Sequence, residues 1–123
     1  METQRPFATT KQLTVYRQTI QPNGERLHVY TAMGRYCEPP AVTATAVVSS
    51  NDSGADYLWR IETAESYRRL GYATELLRLL CETHPGLRMD PATEAGQHLL
   101  RNWQQRCGDG LEPYAGNIIT LEM

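Results

Sequence analysis

The sequence predicts a single α+β domain, built on a mixed sheet with the element order β-β-β-β-α-β-α-β. Two observations carry this prediction. Stretches rich in β-branched and aromatic residues, separated by turn signals, fill the chain up to residue 63. The apolar spacing then changes to that of amphipathic helices, which alternate with short strands in the second half.

The first half of the chain is expected to form four antiparallel strands. They are predicted over residues 12–20, 26–33, 41–50 and 56–63. Between the first two, Asn23-Gly24 tolerates the positive φ of a tight turn, and such short connections favour antiparallel pairing. Residues 1–11 are expected to be a loose leader.

The first helix is predicted over residues 72–82, because apolar side chains recur there at helical spacing. These apolar residues are Ala73, Leu76, Leu77 and Leu80. The stretch His84-Pro85-Gly86 ends the helix. Residues 87–89 then form a short strand, which should lie parallel to strand 56–63.

A second helix is predicted from Asp90 and Pro91, since Asp caps helices and Pro suits the first helical turn. Its apolar stripe is Ala95, Leu99, Leu100 and Trp103, and it ends near residue 107. Residues 117–123 are predicted to be the last strand.

Composition narrows the class of protein. With 123 residues, 41% of them hydrophobic and 21% charged, the chain suits one soluble domain with a real core. A net charge of −2 gives no electrostatic reason to expect nucleic-acid binding. Three cysteines without metal-type spacing indicate neither a disulfide framework nor a metal site. No secretory signal or membrane span is evident, so a cytoplasmic location is expected.

The stretch ESYRRLGYATELLRLL, residues 65–80, has the features of a phosphate-binding loop. A helix start exposes unpaired backbone N–H groups at the positive end of the helix dipole. Gly71 lets the backbone approach a ligand, and Arg68 and Arg69 can add charge-assisted hydrogen bonds to a phosphate. The alternative is an ordinary helix start with no ligand.

The longer stretch IETAESYRRLGYATELLRLL resembles the core motif of the GNAT N-acetyltransferase superfamily. The matching residues are Tyr67, Arg68, Gly71, Ala73, Leu76 and Leu77. The resemblance covers roughly residues 41–107 and implies a GNAT-like fold that uses acetyl-CoA as cosubstrate. It also implies transfer of the acetyl group to a primary amine, with a protein or peptide as one candidate acceptor.

The resemblance assigns the cofactor-binding residues. The pyrophosphate of acetyl-CoA would meet the backbone of Arg69, Leu70, Gly71, Tyr72, Ala73 and Thr74, with the Arg68 and Arg69 side chains assisting. The pantetheine arm would lie along the strand before the loop, where Ile61 and Thr63 match the backbone positions that bind it.

The proton-transfer residues depart from the family pattern. Many members carry a tyrosine in the second helix as general acid, but this chain has Leu99 or Leu100 there. Tyr57, in the fourth strand, and Tyr114, after the second helix, are the candidate substitutes. Strand alternation places Tyr57 on the same face as Ile61 and Thr63. The alternative function is a non-catalytic acyl-CoA-binding or protein-interaction module on this scaffold.

The two helices that usually follow the first strand of the family are also missing, since only residues 21–25 separate the first two strands. Arg60 and Glu62 then place charges on one face of a strand that is normally buried on both faces. We expect this face to be partly open, or covered by a second copy of the chain in a homodimer.

Overall fold

The structure is a computed structural model, and it describes residues 5–21, 24–50, 56–67, 70–89, 97–98, 101, 103, 111–113 and 120–121. Its strands are β1 (Ala8–Thr9), β2 (Leu13–Ile20), β3 (Arg26–Gly34), β4 (Val42–Ser50), β5 (Asp56–Thr63), β6 (Leu87–Met89), β7 (Leu111–Pro113) and β8 (Thr120–Leu121). The helix α1 spans Tyr72–Thr83, and a short 3₁₀ turn, Glu65–Tyr67, lies between β5 and α1.

The strands form one mixed sheet in the order β1-β2-β3-β4-β5-β6-β7, with β8 also paired to β5. From β1 to β5, each strand pairs with the next one in antiparallel orientation. The pairs β5–β6, β6–β7 and β5–β8 are parallel. The predicted mixed α+β sheet is therefore confirmed, including the antiparallel first half and the parallel neighbour of the fourth strand.

One face of the sheet packs against α1 and forms the hydrophobic core. The helix contributes Ala73, Leu76, Leu77 and Leu80, which are the four residues that helical spacing predicted. The sheet contributes Leu13, Val15, Tyr30, Ala32, Ala44, Ala46, Val48, Leu58, Ile61, Leu87 and Met89. Because full burial of one leucine contributes about 1.5–3 kcal/mol, this stripe is what holds α1 on the sheet.

The expected loose leader is partly ordered on the sheet. Residues 8 and 9 form β1 and pair with β2 at Val15 and Thr14. Phe7 packs against the core, with its ring 5.6 Å from the ring of Tyr30 and 4.2 Å from the Arg17 guanidinium. The leader prediction is corrected for residues 5–11, since the free edge of β2 accepts a strand and the core accepts the aromatic ring.

The second predicted helix lies mostly outside the described residues. Those that are described, at positions 97, 98, 101 and 103, have helical backbone, and the Trp103 side chain is buried in the core. The strand β7 was not predicted. The strand β8 falls within the predicted last strand, 117–123, and it pairs with β5 at Arg60 and Ile61.

The helix α1 is short and sharply bounded. It contains 12 residues, ends at Thr83 and is followed by His84, whose backbone N–H donates to the carbonyl oxygen of Leu80. A helix needs about 20 apolar residues to cross a bilayer. In the part of the chain that the structure describes, no helix meets that requirement.

Candidate functional site

Gly71 is the N-cap residue that immediately precedes α1, and its backbone is left-handed, with φ 85° and ψ 3°. Residues with a side chain rarely adopt this conformation, so the position favours glycine. Apart from the two chain neighbours of Gly71, no atom of the described residues lies within 4 Å of the position that a Cβ would take there. The space beside this backbone is therefore open, and a ligand can approach it closely.

The first turn of α1 presents backbone donors to that space. The first intrahelical bond runs from the Glu75 N–H to the Gly71 carbonyl, at 3.0 Å. The N–H groups of Tyr72, Ala73 and Thr74 precede it, and no side chain caps them among the described residues. Together they form the positive end of the helix dipole. Five predicted pyrophosphate-binding positions, residues 70–74, thus meet at one open helix start, whereas Arg68 and Arg69 lie outside the described residues.

The start of α1 is anchored to the turn between β1 and β2. The Glu75 carboxylate accepts hydrogen bonds from the Gln12 backbone N–H, at 2.9 Å, and from the Thr10 hydroxyl. The Tyr72 ring meets the Tyr67 ring edge-on, with centroids 6.0 Å apart. Burial, together with the neighbouring Cys37, raises the pKa of the Tyr72 phenol. These contacts fix the helix start, and Tyr72 stays protonated at neutral pH.

A β-bulge at Trp59 overturns the predicted orientation of Tyr57. Across the β4–β5 ladder, Val48 pairs with Leu58 and Val47 pairs with Arg60, so Trp59 is the extra residue. A bulge reverses the alternation of side chains beyond it. One face of β5 therefore carries Tyr57, Arg60 and Glu62. Their respective partners on β4 are Ser49, Val47 and Thr45, which are every second residue of that strand. Ile61 and Thr63 point to the opposite, helix-covered face and are buried.

The outer edge of β5, which is the edge not paired with β4, is shared by two short strands. Tyr57 pairs with Arg88 of β6, and this is the one position of that ladder in the described residues. Arg60 and Ile61 pair with Thr120 and Leu121 of β8. At Ile61, the edge predicted to bind the pantetheine arm is therefore paired with β8, a strand of the same chain.

The sheet face away from α1 carries the charged pair that the sequence indicated. Arg60 donates a hydrogen bond to the Glu62 carboxylate, and their side chains are 51% and 32% exposed. A cavity of about 190 Å³ lies beside Glu62. Its lining residues are Val42, Ala44, Thr45, Glu62 and Ala64. In the single chain these side chains are therefore exposed in part, as both an open face and a face covered by a second copy predict.

Sequence reasoning missed a polar network at the other end of α1. The His84 Nε2 lies 2.6 Å from the Tyr30 hydroxyl, and its Nδ1 lies 2.9 Å from the Asp56 carboxylate. Asp56 also accepts a hydrogen bond from the Ser50 hydroxyl, at 2.6 Å. Tyr30 and His84 are buried, so their polar atoms must be satisfied inside the protein.

The network continues to the surface through His28. Its Nε2 lies 3.2 Å from the Ser50 hydroxyl, and its Nδ1 lies 2.9 Å from the Thr19 hydroxyl. Because the single Ser50 proton goes to Asp56, the His28 Nε2 must donate to Ser50. A helix of 12 residues is about 18 Å long, so this network is remote from Gly71. No local pattern in the sequence marks it, since its members come from five elements.

The family comparison agrees with this geometry. The family model described as the acetyltransferase (GNAT) family matches residues 3–108. The chain therefore belongs to the GNAT acetyltransferase family, and membership supports acyltransferase activity in general. No curated protein and no solved structure matched the chain.

The candidate catalytic residues are less well defined than the helix start. Tyr57 is half-buried on the face that carries Arg60 and Glu62. Tyr114 lies outside the described residues, as do Leu99 and Leu100. The structure therefore brings the loop residues together, and it separates Tyr57 from the face of Ile61 and Thr63.

Proposed function

We propose that this protein is an N-acetyltransferase that moves an acetyl group from acetyl-CoA to a primary amine, with a protein or peptide amine as the favoured acceptor. The observation that carries the proposal is the left-handed Gly71, which follows β5 and precedes a helix that has no side-chain cap among the described residues. Family membership supports the choice of donor, since GNAT proteins generally use acetyl-CoA.

The helix start fits the phosphates of acetyl-CoA. The open space beside Gly71 admits a pyrophosphate, and the N–H groups of Tyr72, Ala73 and Thr74 can donate to its oxygens. Arg68 and Arg69 precede this turn in the sequence and would supply positive charge. Bound acetyl-CoA would supply the activated thioester carbonyl at which an amine can attack.

The backbone of Ile61 and Thr63 is proposed to position the pantetheine arm. Support comes from the β5–β6 ladder, which pairs at Tyr57 and Arg88 and leaves the outer edge of β5 to another partner at Ile61. A ligand with amide groups can hydrogen-bond to such an edge as an added strand does.

The acceptor is proposed to approach from the sheet face that carries Arg60 and Glu62. The Glu62 carboxylate, which also accepts a hydrogen bond from Arg60, borders a cavity of about 190 Å³ and would offer an acceptor oxygen to an incoming amine. Tyr57 shares this face and is proposed to transfer a proton on the acceptor side. Tyr114 is proposed as the acid that protonates the leaving thiolate.

A second candidate function is a non-catalytic acyl-CoA-binding or interaction module. One observation favours it. Leucine stands at 99 and 100, where the family's acid is a tyrosine.

One experiment separates these functions. The purified protein is mixed with acetyl-CoA and a panel of amines and peptides, and thiol release is measured beside calorimetric binding of CoA. The enzyme proposal predicts binding and turnover with at least one amine. Binding without turnover across the panel would favour the module, and absence of binding would contradict both functions.

A further inference from the structure

The strand β8 adds to the sheet at an unusual place. Its two residues do not extend the row of strands beyond β7. They pair in parallel with Arg60 and Ile61, on the outer edge of β5 and three residues beyond the contact between β5 and β6. The outer edge of β5 can therefore accept a short extended chain at this level.

The same stretch of edge is the one proposed to hold the pantetheine arm, so this inference rests on the proposed function. The arm carries two amide groups, and it would use the backbone N–H and C=O groups that face outward near Ile61. A backbone group that already bonds β8 is not available to a ligand. We infer that β8 and the pantetheine arm are alternative occupants of this edge, and that β8 is a built-in competitor which acyl-CoA displaces on binding.

Because β8 is so short, its pairing with β5 is weak enough for a ligand to displace it. A strand of two residues has room for about one or two interstrand hydrogen bonds, each with a small net contribution in water. Such an element holds the edge in most molecules and still leaves a minor population with the edge exposed. The apparent Kd for CoA is then the intrinsic Kd divided by the fraction of molecules in which the edge is open.

Removal of the backbone donors of β8 tests this directly. The variant carries Thr120→Pro and Leu121→Pro together, so that whichever N–H faces β5 is lost. The matched control carries Thr120→Ala and Leu121→Ala, which keeps both N–H groups. Calorimetry measures the Kd for CoA and for 3′-phosphoadenosine 5′-diphosphate, which has the phosphates of CoA and no pantetheine arm.

The inference predicts that the double-proline variant binds CoA about fivefold more tightly than the alanine control, whose Kd stays near that of the unmodified protein. Binding of the nucleotide without the arm should be equal in both variants. An unchanged or higher Kd for CoA in the proline variant would overturn the inference and leave the proposed function standing. Tighter binding of both ligands would also overturn it, because the effect would not depend on the arm.

If CoA binds neither variant nor the unmodified protein, the proposed function fails and the inference fails with it. A measurement on the unmodified chain removes any dependence on the variants. Hydrogen exchange of the peptide covering residues 117–123 should become faster when CoA is added. Slower or unchanged exchange while CoA is bound would contradict displacement of β8.

Discussion

The Nδ1 of His84 lies 2.9 Å from the carboxylate of Asp56, although 28 residues separate them in the sequence. His84 follows the last turn of α1, and Asp56 is the first residue of β5. The contact therefore joins the end of the helix to the beginning of the strand that precedes it. Tyr30 extends the contact to β3 from the other nitrogen of the ring.

The Asp56 carboxylate should contribute strongly to stability. It accepts hydrogen bonds from Ser50, and from His84 when the imidazole Nδ1 carries its proton. Asp56→Asn replaces one acceptor by an amide donor, so one of these partners loses its bond. We expect a loss of about 1–3 kcal/mol in the free energy of unfolding, measured by urea denaturation. Glu25→Gln, at an exposed position, is the matched control and should change little; equal stability of the two variants would contradict the role of the network.

The histidine at position 28 should make stability depend on pH. Burial, followed by the proximity of His84 and Arg17, lowers the pKa of His28 below its usual 6.5. The unfolded chain therefore binds a proton more readily than the folded chain, and the free energy of unfolding falls as the pH drops below 6.5. In His28→Gln this part of the slope should disappear from urea denaturation between about pH 7.5 and 5.5. An identical slope in the variant and the original protein would refute the assignment.

The leucine stripe of α1 offers a paired test of the packing. Leu77 is fully buried, whereas Leu70 is 56% exposed just before the helix. Leu77→Ala should lower the free energy of unfolding by about 2–5 kcal/mol, since it removes buried methyl groups and leaves a cavity. Leu70→Ala should cost less than about 0.5 kcal/mol. A similar loss from both variants, measured by thermal or urea denaturation, would mean that α1 does not pack as described.

Local patterns were sufficient to predict the first half of the fold. Alternation and turn signals predicted the four central strands, and the spacing of Leu76, Leu77 and Leu80 predicted the buried face of α1. The position of Gly71 just before α1 was also predicted, because a glycine there lets the backbone approach a phosphate closely. Each of these features depends on residues that are near one another in the chain.

The features that were missed depend on pairing between distant residues. The bulge at Trp59 exists only relative to β4, and it reversed the expected orientation of Tyr57. Alternation within β5 alone gives no sign of it. Ile61 pairs with Leu121, which lies 60 positions further along the chain. Tyr30 contacts His84, which lies 54 positions further along. Local sequence patterns cannot predict contacts over such separations.

Gly71 provides the most direct test of the central claim, which is that the start of α1 binds the phosphates of CoA. Asn and Asp both tolerate the left-handed backbone better than other side chains, so Gly71→Asn and Gly71→Asp should fold alike. They differ in one negative charge beside the proposed pyrophosphate. Circular dichroism and urea denaturation of both variants control for the fold.

The decisive measurement is the calorimetric Kd for CoA of these two variants. The proposal predicts that Gly71→Asp binds CoA at least about tenfold more weakly than Gly71→Asn, because a carboxylate repels the phosphates at close range. Equal affinity of the two variants for CoA would contradict the claim, since it would place the phosphates away from the start of α1.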